Sequence, residues 1–257
     1  MEPSFGRRYR PGSARTIPPG WKTPFCDTIP GMMEISATNE WRSAHPGAVI
    51  GLLELSGVEN TRRPPALEER KREAEARLRS ACGGFARKDF LAHPVMAAYD
   101  AYYTRFRKTY HVLLQVESIV LKGKSLPSVS PLVDANFMAE VDTFVLTAGH
   151  DADRLTGPIL LDVSREADVI TQMNGTLREM YAGDMIMRDT GGVSCSVIYG
   201  QDNRSPISPA TTHVLYVTYA PAGVSSRTVR EDLEKIEANV RLFSPAAVTE
   251  QVRVIEA

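Results

Sequence analysis

Cysteine is scarce in this sequence, and the three present, Cys26, Cys82 and Cys195, lie far apart with no Cys-x-x-Cys pair. That spacing argues against a disulfide framework and a zinc knuckle, and it favours a reducing cytoplasm. Long apolar runs are also missing, since none approaches the ~20 residues that cross a bilayer. The amino-terminal arginines are not followed by an apolar stretch, so no secretory signal is expected. Charge of one sign is not in excess. The net charge is −1 over 257 residues, so no global field recruits nucleic acid and any such binding needs a local patch. What is present, 43% hydrophobic and 24% charged residues, fits a globular protein with one large domain or a domain with appendages.

Residues 1–31 are rich in Pro, Gly and Arg without a period, which predicts a flexible arm that is either uninformative or touches RNA. AVIGLLELSGVEN (48–60) reads as a buried strand ending at Ser56-Gly57. PPALEERKREAEARLRSACGG (64–84) reads as a helix with Glu68/Arg72, Glu73/Arg77 and Glu75/Arg79 at i,i+4. A second helix is expected over 94–108, with Val95, Tyr99, Tyr102 and Phe106 on one stripe. Its end, YYTRFRKTY, interleaves cations with aromatics, a pattern that suits either RNA stacking or a core face with Arg105, Arg107 and Lys108 at a helix C-terminus. A third helix spans 111–121, and a short one starts at Ser130 with Pro131 at its first position. Strands follow at 158–163, 167–173, 184–189, 193–199 and 212–220, with turns at 174–176 and 190–192, and a helix at 224–243. Helices before and after a mostly antiparallel sheet define the α+β class. This order divides the chain into the arm, an N-terminal strand and helices (32–110), a domain (111–245) and a C-terminal tail (246–257).

LKGKS (121–125) suggests a phosphate-binding loop, but the glycine that the motif needs before Gly123 is Ser118, and a helix precedes it. GGVSCSVIYG lacks the spacing of a serine nucleophile elbow. Cys195 is either a thiol nucleophile served by His150 or His213, or a packing residue in a strand. GHDAD (149–153) reads as an Asp-rich turn, since no second cluster makes His150, Asp151 and Asp153 a metal site. QDNRS (201–205) crowds Gln201, Asp202, Asn203 and Arg204 between apolar strands, a loop suited to gripping a polar ligand or a polar hairpin tip. No metal or cofactor is expected.

SLPSVSPLVDANF (125–137), GHDADRLTGPILL (149–161), NGT (174–176) and GQDNRSPISPATTHVLY (200–216) occur in that order. Together they resemble the tRNA-binding editing (B3/B4) domain of the phenylalanyl-tRNA synthetase beta chain, in its free-standing form, over roughly 115–220. The resemblance implies a B3/B4-like fold with an antiparallel sheet and flanking helices. It also implies hydrolysis, in trans, of the ester joining a wrong amino acid to a tRNA 3′ end. On this reading His150 and Asn136 lie near the scissile ester, and Gln201, Asp202 and Asn203 hold the amino acid. Gly191 and Gly192 admit the terminal adenosine, while Lys122, Lys124 and Arg204 are either phosphate contacts or solvated surface cations. The partners implied are tRNA and a free or esterified amino acid. The chain departs from the family at Ala148, where a histidine is usual, and at Asn203, where a glutamate reads a tyrosine hydroxyl. These departures motivate a second reading, a non-catalytic binding module for tRNA or amino acid. A small-molecule hydrolase using Cys195 is the third.

Overall fold

Strand β2 (Val49–Ser56) is apolar along nearly its whole length because both of its faces are covered. The structure, a computed structural model, describes residues 33–257. The arm at 1–31, its suggested RNA contact and Cys26 lie outside the described residues. β2 is central in a four-stranded antiparallel sheet of order β11-β2-β10-β3, with β10 at His213–Ala220, β3 at Thr147–Asp151 and β11 at Val248–Glu256. A second sheet has the order β1-β4-β7-β8-β9. Its strands are β1 (Ile35–Ala37), β4 (Ile159–Val163), β7 (Met185–Asp189), β8 (Gly192–Ser196) and β9 (Gly200–Gln201), and only the β1–β4 pair is parallel. A hairpin of β5 (Val169–Thr171) and β6 (Leu177–Glu179) turns at Asn174-Gly175. The fold is therefore α+β with antiparallel sheets and flanking helices.

Two expectations are corrected here. Residues 246–257 are not a tail, because Val248–Glu256 pairs with β2 from Ser56 back to Val49. GHDAD is not a free turn either: Gly149, His150 and Asp151 belong to β3 and pair with β10. Both segments mix polar and apolar residues, so their sequence shows no strand period; edge pairing decides their conformation.

The helices follow from local signals. Ser130 caps α6 (Pro131–Thr143), its Oγ accepting the Val133 N–H at 3.4 Å, with Pro131 in the first position. Gly123 ends α5 (His111–Lys122) in the left-handed region, φ 64°, which glycine enters without a Cβ clash. The Gly-Lys-Ser is thus a helix terminus. α2 (Pro65–Cys82) buries Leu67, Ala74 and Leu78. It keeps the Glu73–Arg77 and Glu75–Arg79 pairs, whereas Glu68 pairs with Arg63 instead of Arg72. α4 (Pro94–Thr104) sends its aromatics inward: Tyr99 stacks on Tyr110 at 4.2 Å between ring centres and donates to the Tyr219 carbonyl at 2.6 Å. Two short helices, α1 (Asn39–Ala44) and α3 (Arg87–Leu91), complete the amino-terminal half. α7 (Ser226–Arg241) lies on β2 and beside α6. It seats closely because residue 51 is glycine, where a Cβ would stand 2.6 Å from Val229 Cγ1.

Candidate functional site

β3 is an edge strand, so one side of its backbone lacks a neighbouring strand. Helix α6 fills that gap with side chains. Asn136 Nδ2 donates to the Thr147 carbonyl at 2.9 Å, and Glu140 Oε1 accepts the Thr147 N–H at 3.0 Å. Residues 136 and 140 are one turn apart on the same face. Above this junction opens a cavity of about 780 Å³, walled by Phe137, Leu146, Ile207, Tyr216 and Met173 with Asn136, Glu140 and Gln201 among its polar groups. That size lies within the ~300–1,000 Å³ of small-molecule sites.

Three features of the cavity bear on chemistry. Burial pushes the Glu140 carboxyl up to about 8, so it exchanges a proton near neutral pH. Asn136 Oδ1 and the Tyr219 hydroxyl, both buried, have no partner with good hydrogen-bond geometry among the described residues; Asn136 lies beside the Glu140 carboxyl and Tyr219 beside the Cys195 thiol, a weak partner. Each such group costs about 1–3 kcal/mol unless a ligand or water satisfies it. Cys195 also borders the cavity, but burial pushes its thiol up to about 12. Neither histidine serves it: His150 bonds to Ser205, and His213 bonds to Glu54 and Asp153. The reading of Cys195 as an activated nucleophile is therefore corrected to a neutral thiol in the wall. Ser196 is no nucleophile either, because its Oγ is held by Asp184 and the Tyr199 N–H.

Of the residues expected from the sequence, the structure brings Asn136, Gln201 and Lys124 to the cavity. It places His150 elsewhere. The ring is fully buried behind Gln201 and is absent from the cavity lining. Ser205 Oγ donates to Asp202 Oδ1 at 2.8 Å, so His150 Nδ1 must carry its proton and donate to Ser205 Oγ at 2.8 Å. Gln201 Nε2 then gives its two hydrogens to the Gly149 carbonyl, 3.0 Å, and the Ser205 carbonyl, 2.7 Å. Burial, with the nearby Arg204 charge second, lowers the imidazole to about 3 and keeps it neutral. His150 thus holds the loop that carries Gln201 and does not line the cavity.

The other expected residues are corrected in the same way. Asp202 is buried and occupied by Ser205 and by Arg204, whose Nε stands 2.7 Å from Oδ2. Arg204 also grips Asp189 at 3.0 Å, so two carboxylates already neutralise the proposed phosphate contact. Asn203 faces solvent, its backbone N–H bonded to Thr171. Gly191 lies in the β7–β8 turn and Gly192 opens β8, both outside the cavity lining. At Gly191 a Cβ would fall against Arg204 Nη1, so glycine there serves the Arg204–Asp189 contact. Lys122 is exposed at the end of α5 and does not border the cavity, whereas Lys124 stands at its lip. Asp134, two residues from Asn136, points away and anchors Arg63, Lys71 and the Val129 N–H at 2.9, 3.1 and 2.9 Å. Glu140 and Tyr219 are the residues that sequence reading missed. Among the described residues no three His, Cys, Asp or Glu side chains group as metal ligands, and no helix is long and apolar enough to cross a membrane.

No family model and no curated protein matches the chain. Among solved structures it is similar to an N-terminal fragment of the phenylalanyl-tRNA synthetase beta-subunit from Pyrococcus horikoshii, at 7% identity and a TM-score of 0.42. The match covers 86% of this chain and 50% of that one, so the chain spans half the length of the fragment. A likeness this distant carries no residue roles across.

Proposed function

We propose that the cavity between α6, β3 and β9 binds the aminoacylated 3′ end of a tRNA in the cytoplasm and hydrolyses the ester of misacylated species. Two things support this reading: the four sequence stretches that resemble an editing domain, and the polar floor of the cavity. The floor carries it. A carboxyl that titrates near 8 lies beside an unpartnered acceptor, Asn136 Oδ1, and the cavity also holds an unpartnered donor, the Tyr219 hydroxyl.

An activated ester needs only a positioned water, a proton acceptor and a donor for the developing oxyanion. Glu140 in its ionised form takes the proton of the attacking water as the water oxygen bonds to the ester carbon. The Tyr219 hydroxyl donates to the carbonyl oxygen as it becomes negative. When the bond to the ribose oxygen breaks, Glu140 returns the proton to that oxygen. Asn136 Oδ1 accepts from the amino acid's ammonium group, and the apolar wall holds its side chain.

Incubation with a panel of misacylated tRNAs tests this. Release of amino acid by the natural chain, and its loss in Glu140→Gln, is the expected result. A second reading, a binding module without hydrolysis, draws support from the same carboxyl: largely protonated at neutral pH, it can hold a ligand without abstracting a proton. Measurable tRNA binding with no turnover on any member of the panel selects that reading.

A further inference from the structure

The cationic turn after α4 is untouched by the cavity. Tyr102, Tyr103 and Phe106 pack inward, which leaves Arg105, Arg107 and Lys108 on the surface. None of the three takes part in an ion pair among the described residues. Most other arginines of the described chain are neutralised, so three free cations on four consecutive positions form a local patch of the kind a chain of net charge −1 needs to hold a polyanion.

The patch has a shape. Arg105 lies over the rings of Tyr102 and Phe106, 5.3 and 5.4 Å from their centres, so its guanidinium plane is held in place. Arg107 adopts φ 55°, the left-handed region that a non-glycine side chain enters at a cost. Arg105, Arg107 and Tyr181 line an open recess of about 520 Å³ together with Phe106, Ala182 and Glu166. Tyr181 is 60% exposed, an aromatic face presented to solvent beside two guanidinium groups.

We propose that this recess is a nucleotide-binding site for single-stranded RNA, in which Arg105 and Arg107 hold phosphates and Tyr181 stacks a base. Cations in register with an open aromatic face fit a nucleotide better than an acidic peptide, which supplies charge without a ring to stack. Glu166, also in the lining, limits the affinity by its negative charge. The site extends the tRNA reading above to a second contact, yet it is measured without hydrolysis, so the two stand or fall separately.

The experiment is a titration of the full chain with a short labelled oligoribonucleotide at several salt concentrations. The affinity should fall with salt by about 0.7 in log–log slope per phosphate held. Arg105→Gln and Arg107→Gln should each weaken binding and remove about 0.7 of that slope. Tyr181→Ala should weaken binding roughly tenfold with the slope unchanged, and Glu166→Gln should tighten it. Arg107→Gly guards against misfolding. Glycine accepts the left-handed φ freely, so this variant should melt no lower than the natural chain while losing the same slope. Unchanged affinity in Arg107→Gly and Tyr181→Ala overturns the proposal. So does competition by polyglutamate equal to that of RNA, with Tyr181→Ala indifferent, which would make the patch a protein contact.

Discussion

The loop 201–205 and the cavity floor make an instructive pair. The loop is dense in polar residues, and most of its groups are spent on one another: Asp202 on Ser205 and Arg204, Arg204 on two carboxylates, Gln201 Nε2 on two carbonyls, although Arg204 Nη2 and the neighbouring His150 Nε2 have no hydrogen-bond partner among the described residues. The floor is poor in polar residues, yet it holds an unpartnered amide oxygen, an unpartnered hydroxyl and a carboxyl raised to about 8. Polar density here mostly builds scaffold, and what distinguishes the floor is that its unpartnered groups belong to residues lining the cavity, whereas those of the loop do not.

The sharpest test of that contrast is Glu140→Gln, which keeps the shape of the floor and removes its proton exchange. Hydrolysis should fall by roughly 10²–10⁴, the usual contribution of a general base. The pH profile of kcat should lose its rise towards about 8. Stability should move the other way. A carboxyl whose folded pKa is raised stabilises fully below its unfolded value and loses that contribution as pH rises through about 8. Urea midpoints of the natural chain should therefore decline from mildly acidic to mildly alkaline pH, and Glu140→Gln should flatten the decline. A variant with full activity would return the floor to mere packing.

The loop should respond oppositely. Asp202→Ala strands the Ser205 hydroxyl and leaves Arg204 with one carboxylate, at a cost of roughly 2–3 kcal/mol in denaturant unfolding. The partial exposure of Arg204 keeps this below the figure for a fully buried pair. Folded Asp202→Ala should still bind ligand in the cavity. Loss of binding at unchanged stability would restore Asp202 as a ligand contact and erase the contrast.

Much of the fold was legible in the sequence because its signals are local. Ser130-Pro131 starts α6, Gly123 ends α5, and the apolar run at 48–60 gives β2. β11 and β3 were not legible, since their strand conformation comes from pairing with β2 and β10 rather than from a period of their own. The site was legible only in part for the same reason. Asp134 and Asn136 looked like companions in the sequence, but two residues of helix rotate side chains by about 200° and put them on opposite faces. Asn136 and Glu140, four apart, share a face, and that spacing was the signal available for Glu140. Nothing local marked Tyr219, one of two tyrosines in β10, as the one whose hydroxyl lacks a well-placed partner. Nor could it show that His150 points behind Gln201.

Tyr219→Phe isolates the incompleteness itself. Without the orphan hydroxyl the free protein should gain about 1 kcal/mol, because a buried unpaired donor is removed with little change of shape. Turnover of the misacylated substrate should fall, with the loss in kcat rather than KM if the hydroxyl meets only the developing oxyanion. A destabilised Tyr219→Phe would mean that the hydroxyl has a partner in solution.

The smallest effect comes from a second satisfied network, at the other end of β10, which extends the comparison to pH. His213 Nε2 stands 2.9 Å from Glu54 Oε1 and its Nδ1 3.0 Å from Asp153 Oδ1. The hydrogen bond to Glu54 raises the imidazole, and against the cost of burial the bonds from His213 and Gln251 lower the Glu54 carboxyl. The raised histidine stabilises below its unfolded value near 6.5 and loses this as pH rises through the folded one. The lowered glutamate stabilises above its unfolded value of 4.5 and loses this as pH falls. Both contributions are present between those values, so the pair should leave a shallow stability maximum in that window. The measurement is clean in Glu140→Gln, where the larger slope is gone. His213→Asn in that background should remove the maximum at a cost of about 1 kcal/mol, because Asn still offers an N–H donor to the buried Glu54 carboxyl. A maximum that survives His213→Asn would show that this network, unlike the loop 201–205, does not fix its own protonation.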